Sequence, residues 1–364
     1  MRLSSLPYII QKEVLDCMSI NSVFFLSLCS KSTKNFIKQT QKNQFKKPQF
    51  THVHCNIAEK AMRINMGDCQ LGLCKNLMFF FKAPTDFIKE IPECEEGDAV
   101  EKVQVKELGT SIDFFRSPAN QTRLHAKYTS DNAESIIESI HNHLCDLLGL
   151  DPEVVLMTNF RETHFFPSLR NVRKLYINDG DDSASTRINE VLSRSPCLEV
   201  LSFSGQHREN IKFEENSRVY EMDTLNVCQS LLLATDVLKY FKGRHAFLCC
   251  TDITTPDVIQ FLNEWRSGEK FQNLEVIGIT CPQTQEIRRS VELKELNTNV
   301  EYSFTTKLES PTTDNNFESR LYMVRESDGH VASVLLEDGR VFMGVWDMTE
   351  AEFLEKFRTI DSIE

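Results

Sequence analysis

Three side chains near the middle of the chain, His141, His143 and Cys145, have the donor chemistry of a metal site. Positions four apart share a helix face, and zinc accepts imidazole and thiolate ligands together. No second ligand group stands at a suitable spacing, and the flanking apolar residues favour a packed helix. No metal is expected there. Cys69 and Cys74 lack the spacing of a zinc knuckle, and Cys249-Cys250 falls in a predicted strand, where neighbouring side chains point to opposite faces. Thiol catalysis needs a histidine and an orienting group to meet the sulfur in space, which spacing alone neither demonstrates nor forbids. No glycine-rich phosphate loop occurs, and the chain has only 13 glycines. Catalytic residues and cofactors are accordingly expected to be absent, with a thiol-dependent hydrolase kept as a rival reading. Trp265, Tyr322 and Trp346 are candidate contacts for a protein target, because tryptophan and tyrosine dominate interface hot spots. The bland alternative is that they are core, where aromatics within strand and helix patterns usually lie.

The elements that would position such residues begin with a compact helical module over residues 5–47. Leu6-Pro7 opens it, since proline is tolerated in a first helical turn. Ile10, Val14, Leu15 and Met18 recur at helical spacing, and Ser19–Asn21 makes a polar break. Phe24, Phe25, Leu26 and Leu28 form a dense apolar second helix, followed by Ser30-Lys31 and a basic third helix through Phe36 and Ile37. Three such short helices do not bury this much apolar surface alone, so a partner or the following domain must help.

Downstream, the pattern changes to alternating strands and helices. An apolar triplet recurs as Val172, Leu175, Ile177; as Leu198, Leu201, Phe203; as Met222, Leu225, Val227; and as Leu274, Ile277, Ile279, with a weaker copy at His245, Leu248, Cys250. The spacing of these copies falls near the 20 to 29 residues, roughly, of leucine-rich repeats. Between them, Ile188, Val191 and Leu192 mark one helix, Leu231, Leu232, Val237, Leu238 and Phe241 another, and Thr255-Pro256 starts a third through Ile259, Leu262 and Trp265. Upstream, Asp131 and Glu134 form a capping pair for a helix with Ile136, Ile137, Ile140, Leu144 and Leu148, ended by Gly149. Residues 50–125 carry weaker signals, with an apolar Leu77–Phe81 run and an acidic stretch at Glu93–Asp98. Leu321–Val324, Val331–Leu336 and Val341–Trp346 read as strands joined by Asp328-Gly329 and Asp338-Gly339 turns, and Thr349 with Glu352 caps a last helix.

The expected fold is therefore α/β. A three-helix module at 1–48 precedes a divergent strand–helix solenoid at 49–364, closed by a β-meander at 318–346 and a helix. An irregular α/β domain is the alternative.

Composition narrows the function class. Hydrophobic residues at 41% and charged residues at 26% are ordinary for a globular chain and argue against wholesale disorder. No apolar run is long enough for a transmembrane helix, and Gln11, Lys12, Glu13 and Asp16 interrupt any signal-peptide core. A cytoplasmic or nuclear location follows as the expectation. The 12 cysteines are then expected as reduced, buried thiols, and the Asn120-Gln121-Thr122 sequon carries no weight. Net charge is −12, yet residues 1–48 hold eight basic groups against Glu13 and Asp16, a local +6. An acidic protein suits this segment better than nucleic acid, because the remaining −18 would repel phosphate.

The string Leu6-Pro7, Val14-Leu15, Met18 and Phe24-Phe25-Leu26-Ser27-Leu28-Cys29-Ser30-Lys31 resembles an F-box. It departs from the family at Ser32-Thr33, where an aromatic residue often follows the Ser-Lys pair. Phe271–Ile277, the Thr255–Trp265 helix and Glu337–Trp346 resemble the F-box-associated domain of nematode F-box proteins. The resemblance implies a non-enzymatic substrate adaptor of a cullin-based, SCF-type ubiquitin ligase. Leu6, Pro7, Val14, Leu15, Leu26 and Leu28 would then meet the small ligase adaptor, and through it cullin, while the rest of the chain holds a target protein. A binding or scaffold protein acting outside a ligase is the rival from a different class.

Overall fold

In the computed structural model the described residues are 6–18, 20–45, 52–56, 61–66, 75–82, 103–105, 112–116, 123–127, 133–148, 153–158, 166–177, 184–203, 212–228, 231–250, 253–280, 283–296, 302–305, 316–337 and 339–361. The chain divides into two compact units, Met1–Tyr176 with Ser193–Leu198, and Ile177–Leu192 with Glu199–Glu364.

The first unit opens with three helices, α1 (Tyr8–Cys17), α2 (Ile20–Leu28) and α3 (Lys31–Phe45). Ser30 caps α3, its hydroxyl accepting the Thr33 N–H at 3.1 Å. Six strands follow: β1 (His52–Asn56), β2 (Ala61–Met66), β3 (Lys75–Lys82), β4 (Val103–Val105), β5 (Ile112–Arg116) and β6 (Arg123–Lys127). Helix α4 (Ala133–Leu148) precedes β7 (Glu153–Thr158) and β8 (Val172–Ile177). The strand order is β8-β7-β1-β2-β3-β6-β5-β4. Strand β1 runs parallel to β7, and β3 parallel to β6; the pairs β1–β2, β2–β3, β5–β6 and β4–β5 are antiparallel. The sequence led us to expect strands alternating with helices from residue 50. Among the described residues, only strands occur between β1 and β6.

The second unit begins with α5 (Ala184–Arg194) and β9 (Val200–Phe203), then a 3₁₀ turn at Arg218–Glu221. It continues through β10 (Thr224–Cys228), α6 (Leu231–Tyr240), β11 (His245–Cys249), α7 (Thr255–Ser267), β12 (Val276–Thr280) and α8 (Thr284–Ser290). Strands β9, β10, β11 and β12 are parallel and in register along Val200, Thr224, His245 and Val276. All fifteen residues of the recurring triplets are buried, none more than 4% exposed. Parallel strands covered on both faces read as apolar runs, which is why this part of the sequence was legible.

At the starts of these strands, Arg244 grips Asp223 at 2.5 and 2.9 Å and reaches Glu275 at 3.3 Å. The buried His245 bonds Thr224 through Nδ1 and Glu275 through Nε2, both at 3.2 Å. Burial lowers the His245 pKa, against the raising effect of Glu275 and Asp223.

Helix α7 is capped one residue earlier than expected. The Thr254 hydroxyl, not that of Thr255, accepts the Asp257 N–H, and the Asp257 carboxylate accepts the Thr254 N–H at 3.2 Å. Pro256 still falls within the first turn, where no helical N–H partner is lost.

The unit ends with β13 (Lys294–Glu295), β14 (Tyr302–Thr305), β15 (Asn316–Ser319), β16 (Leu321–Val324), β17 (His330–Glu337), β18 (Arg340–Thr349) and α9 (Glu350–Asp361). Strands β16, β17 and β18 form the expected meander, and β18 joins β12 antiparallel. Gly329 and Gly339 take φ of 76° and 81° at its turns, which side chains resist. Thr349 and Glu352 make the expected cap of α9, with both Thr349 donors 2.8 Å from Glu352 Oε2.

Among the described residues, strands β14 and β15 pair with each other alone, and they carry Phe304 onto the sheet at Gly344. A Cβ at Gly344 would lie 2.6 Å from the Phe304 ring.

The buried-thiol expectation holds for Cys145 and Cys250 and fails for Cys17, Cys29, Cys197 and Cys249, which are exposed. Apolar neighbours in sequence do not place a residue on the inner face of its own helix or strand. Asp131, Gly149, Asp338, Cys69, Cys74, the Asn120 sequon and the Glu93–Asp98 stretch lie outside the described residues. No helix among those described is long and apolar enough to cross a membrane.

Gly344→Ala is expected to lower the unfolding free energy by roughly 1–3 kcal/mol through this clash. Combined with Phe304→Ala, the two changes should cost less than their sum in denaturant titrations. Strict additivity would show that the contact is not what makes glycine necessary.

Candidate functional site

Helix α1 starts at Tyr8 behind Pro7, whose carbonyl accepts the Gln11 N–H at 3.0 Å. One side faces inward: Leu15 is buried with Val23, Ile37 and Leu147, and Met18, Leu26 and Phe36 pack against that cluster. The rest of its surface is largely exposed and carries four apolar side chains. Tyr8 is 60% exposed, Ile9 71%, Ile10 46% and Val14 37%; no other large hydrophobic side chain among the described residues is as open. Four such residues within two helical turns, interspersed with the exposed Lys12 and Glu13, leave an unusual amount of apolar surface on one short helix, as interaction sites do.

The patch rests on a firmly held support. Lys12 bonds Asp16 at 2.6 Å, and Gln41 of α3 bonds the other Asp16 oxygen at 2.7 Å. The Lys12 bond, then the Gln41 bond, lowers the Asp16 pKa. In α2, Phe24 is wholly buried and meets His143 of α4 edge-on, their ring centroids 5.6 Å apart.

Ser27 donates to the Phe24 carbonyl and lies 2.7 Å from His143 Nε2. With the hydroxyl proton so used, Nε2 must be the donor, and Nδ1 then accepts from Lys34 Nζ at 3.5 Å. A neutral imidazole satisfies every contact. Burial, and secondarily Lys34, pushes the His143 pKa down to about 4, with Asp146 opposing. Lys34 and Lys38 both pair with Asp146, Lys38 at 2.6 Å, and their hydrogen bonds hold the Asp146 carboxyl down to about 2.

The candidate residues separate by location. Pro7 and Val14 are exposed and Leu6 and Leu26 half-buried, whereas Leu15 and Leu28 are buried. Tyr8 and Ile9, the most open members of the patch, were not singled out from the sequence. The signal was Pro7: it fixes where the helix begins, and the direction of each later side chain follows.

The histidines and cysteine of α4 do not converge. Cys145 Sγ lies 3.4 Å from His141 Nε2, which also takes the Arg170 N–H, while His143 turns toward Ser27. Among the described residues, no three His, Cys, Asp or Glu side chains gather as a metal site.

Of the aromatic candidates, Trp265 is wholly buried beneath the Arg325 guanidinium, 5.3 Å from its ring centroid. Arg325 is itself held by Asp328 at 2.7 and 2.9 Å. Tyr322 is 5% exposed and donates to Glu350 at 3.0 Å; burial, then that bond, pushes its pKa up to about 12. Trp346 alone keeps surface. It donates to Ser333 at 2.8 Å and lies under Lys356 Nζ, 4.7 Å from the ring centroid.

The basic charge counted over residues 1–48 is partly spent inside the unit, since Lys34 and Lys38 serve Asp146. The formal charge count overstated what is free to attract a partner.

A folded-state pKa of about 4 for His143, against 6.5 ordinarily, gives stability that is full above pH 6.5 and lost as pH falls through 4. The loss should approach about 3 kcal/mol in unfolding titrations across that window. His143→Gln should flatten the slope, and an unchanged slope in the variant would locate the titrating group elsewhere.

Residues 3–45 match the F-box domain model. No curated protein and no solved structure matches the chain. The F-box implies a role in ubiquitin-ligase substrate recognition or protein–protein interaction, and proteins that carry one are generally non-enzymatic adaptors.

Proposed function

We propose that the chain is a substrate-recognition adaptor of an SCF-type ubiquitin ligase. The F-box docks on the small ligase adaptor, and the remainder of the chain holds a target protein. The observation that carries this reading is the open apolar patch of Tyr8, Ile9, Ile10 and Val14 on the first helix of the matched domain. Burying such side chains is worth about 1.5–3 kcal/mol each, and in the unit they stand 37–71% exposed. Leu6 and Pro7 extend the patch, Leu26 borders its support, and Leu15 and Leu28 act from beneath as core.

The mechanism is proximity. A bound target has its lysines held at high effective concentration near an enzyme on the same cullin, and no residue of this chain does covalent chemistry.

We read residues 49–364 as a divergent leucine-rich-repeat-like domain resembling the nematode F-box-associated type. The parallel strands β9 to β12, in register, and the full burial of the recurring triplets support this. Among the aromatic candidates, target contact falls on Trp346, the one with surface. A binding protein that meets the adaptor outside a ligase is the second reading, and the same patch serves it.

Co-expression of the full chain with the small adaptor and cullin should give stoichiometric co-purification. An Ile9→Asp/Val14→Asp variant should weaken capture about tenfold or more. Both side chains are exposed, so its unfolding midpoint should match the wild type. Leu15→Asp, in contrast, should unfold the module. A folded wild type that captures no adaptor would end the proposal, and capture without cullin would favour the second reading.

A further inference from the structure

At the far ends of two adjacent parallel strands, Cys228 of β10 and Cys249 of β11 are register partners. Partner residues on neighbouring strands point to the same face, with backbones about 4.8 Å apart. A disulfide spans Cα separations of roughly 4.4–6.8 Å, so the pair stands within bridging range with no change of fold. Cys250 lies on the opposite face, buried, and donates to the Val227 carbonyl at 3.6 Å.

The two thiols are not equivalent. Cys249 is exposed and accepts the Thr280 hydroxyl proton, Oγ1 to Sγ 3.6 Å. Cys228 is half-buried and hydrogen-bonds Cys249. Burial first, then the Cys249 charge and hydrogen bond, pushes the Cys228 thiol up and keeps its proton in place. One sulfur thus faces solvent with donors aimed at it, and a protonated neighbour stands behind. Among the described residues no third metal-binding side chain joins them.

We propose that Cys249 and Cys228 are the attacking and resolving thiols of a reversible cross-strand disulfide formed with hydrogen peroxide. The Cys249 thiolate attacks one peroxide oxygen; the O–O bond breaks, leaving a sulfenic acid and a hydroxide that takes up a proton. The Cys228 sulfur then attacks the sulfenic sulfur. The S–O bond breaks, the S–S bond forms, and the oxygen leaves as water with the Cys228 proton. Two thiols are oxidised to one disulfide, and one peroxide is reduced to two waters.

The test treats the full reduced chain with hydrogen peroxide, blocks remaining thiols with N-ethylmaleimide and maps peptides by mass spectrometry without reduction. The expected product is a Cys228–Cys249 linked peptide, two hydrogens lighter than its parts, that dithiothreitol returns to free thiols. Thr280→Val should slow its formation several-fold while circular dichroism stays unchanged. In Cys228→Ser, Cys249 should accumulate the sulfinic acid instead. The proposal is overturned if Cys249 is joined to another cysteine. It is equally overturned if both thiols stay alkylatable while Cys17 and Cys29 oxidise, or if wild-type Cys249 reaches the sulfinic acid with Cys228 still free.

Discussion

The F-box has too little interior to hold itself together. Three helices of 10, 9 and 15 residues enclose few side chains, and the cluster of Leu15, Val23 and Ile37 closes only when Leu147 of α4 enters it. Around that contact stand polar groups that desolvation would otherwise penalise: Ser27 on His143, and Lys34 and Lys38 on Asp146. The module is therefore better described as four helices, one supplied from beyond the matched segment. Helix α1 reaches this core through Leu15, while Tyr8, Ile9, Ile10 and Val14 stay 37–71% exposed. Stability and docking divide one short helix between them.

Sequence patterns served well where the element's environment is uniform along its length. The triplets beginning at Val172, Leu198, Met222 and Leu274 were visible because the residues on one buried face of a strand must be apolar at alternate positions. Asp328-Gly329 and Thr349 with Glu352 were visible because a turn or cap has a local chemical demand. Strands such as β1 (His52–Asn56) and β2 (Ala61–Met66) set polar residues among apolar ones, so they offered neither a helical period nor an unbroken apolar run.

Direction was the harder quantity. Tyr8 and Ile9 look like any other apolar pair until the helix start is fixed, and Cys249 looks like core until it falls on the last residue of its strand. Trp265 and Trp346 share a residue type, yet one is sealed under Arg325 and the other opens beside Lys356. Charge was similarly deceptive: the basic count of the N-terminal segment was accurate, while the pairing of Lys34 and Lys38 with Asp146 depends on a contact between residues more than a hundred positions apart.

That separation has a consequence in time. Ser27 meets His143 across 116 positions of chain, so the earlier-made segment waits for α4 to be synthesised before its core can close. At the usual pace of synthesis, about 5–20 residues per second, the delay lasts roughly 6 to 23 seconds. Contacts this distant in sequence also slow the closure itself, because the intervening chain must first be brought into a loop. Through that interval the patch on α1 and the unfinished core beneath it are uncovered together. A nascent chain thus carries the means of binding before it carries the fold that limits what it binds, and a chaperone or an early partner has its opening there.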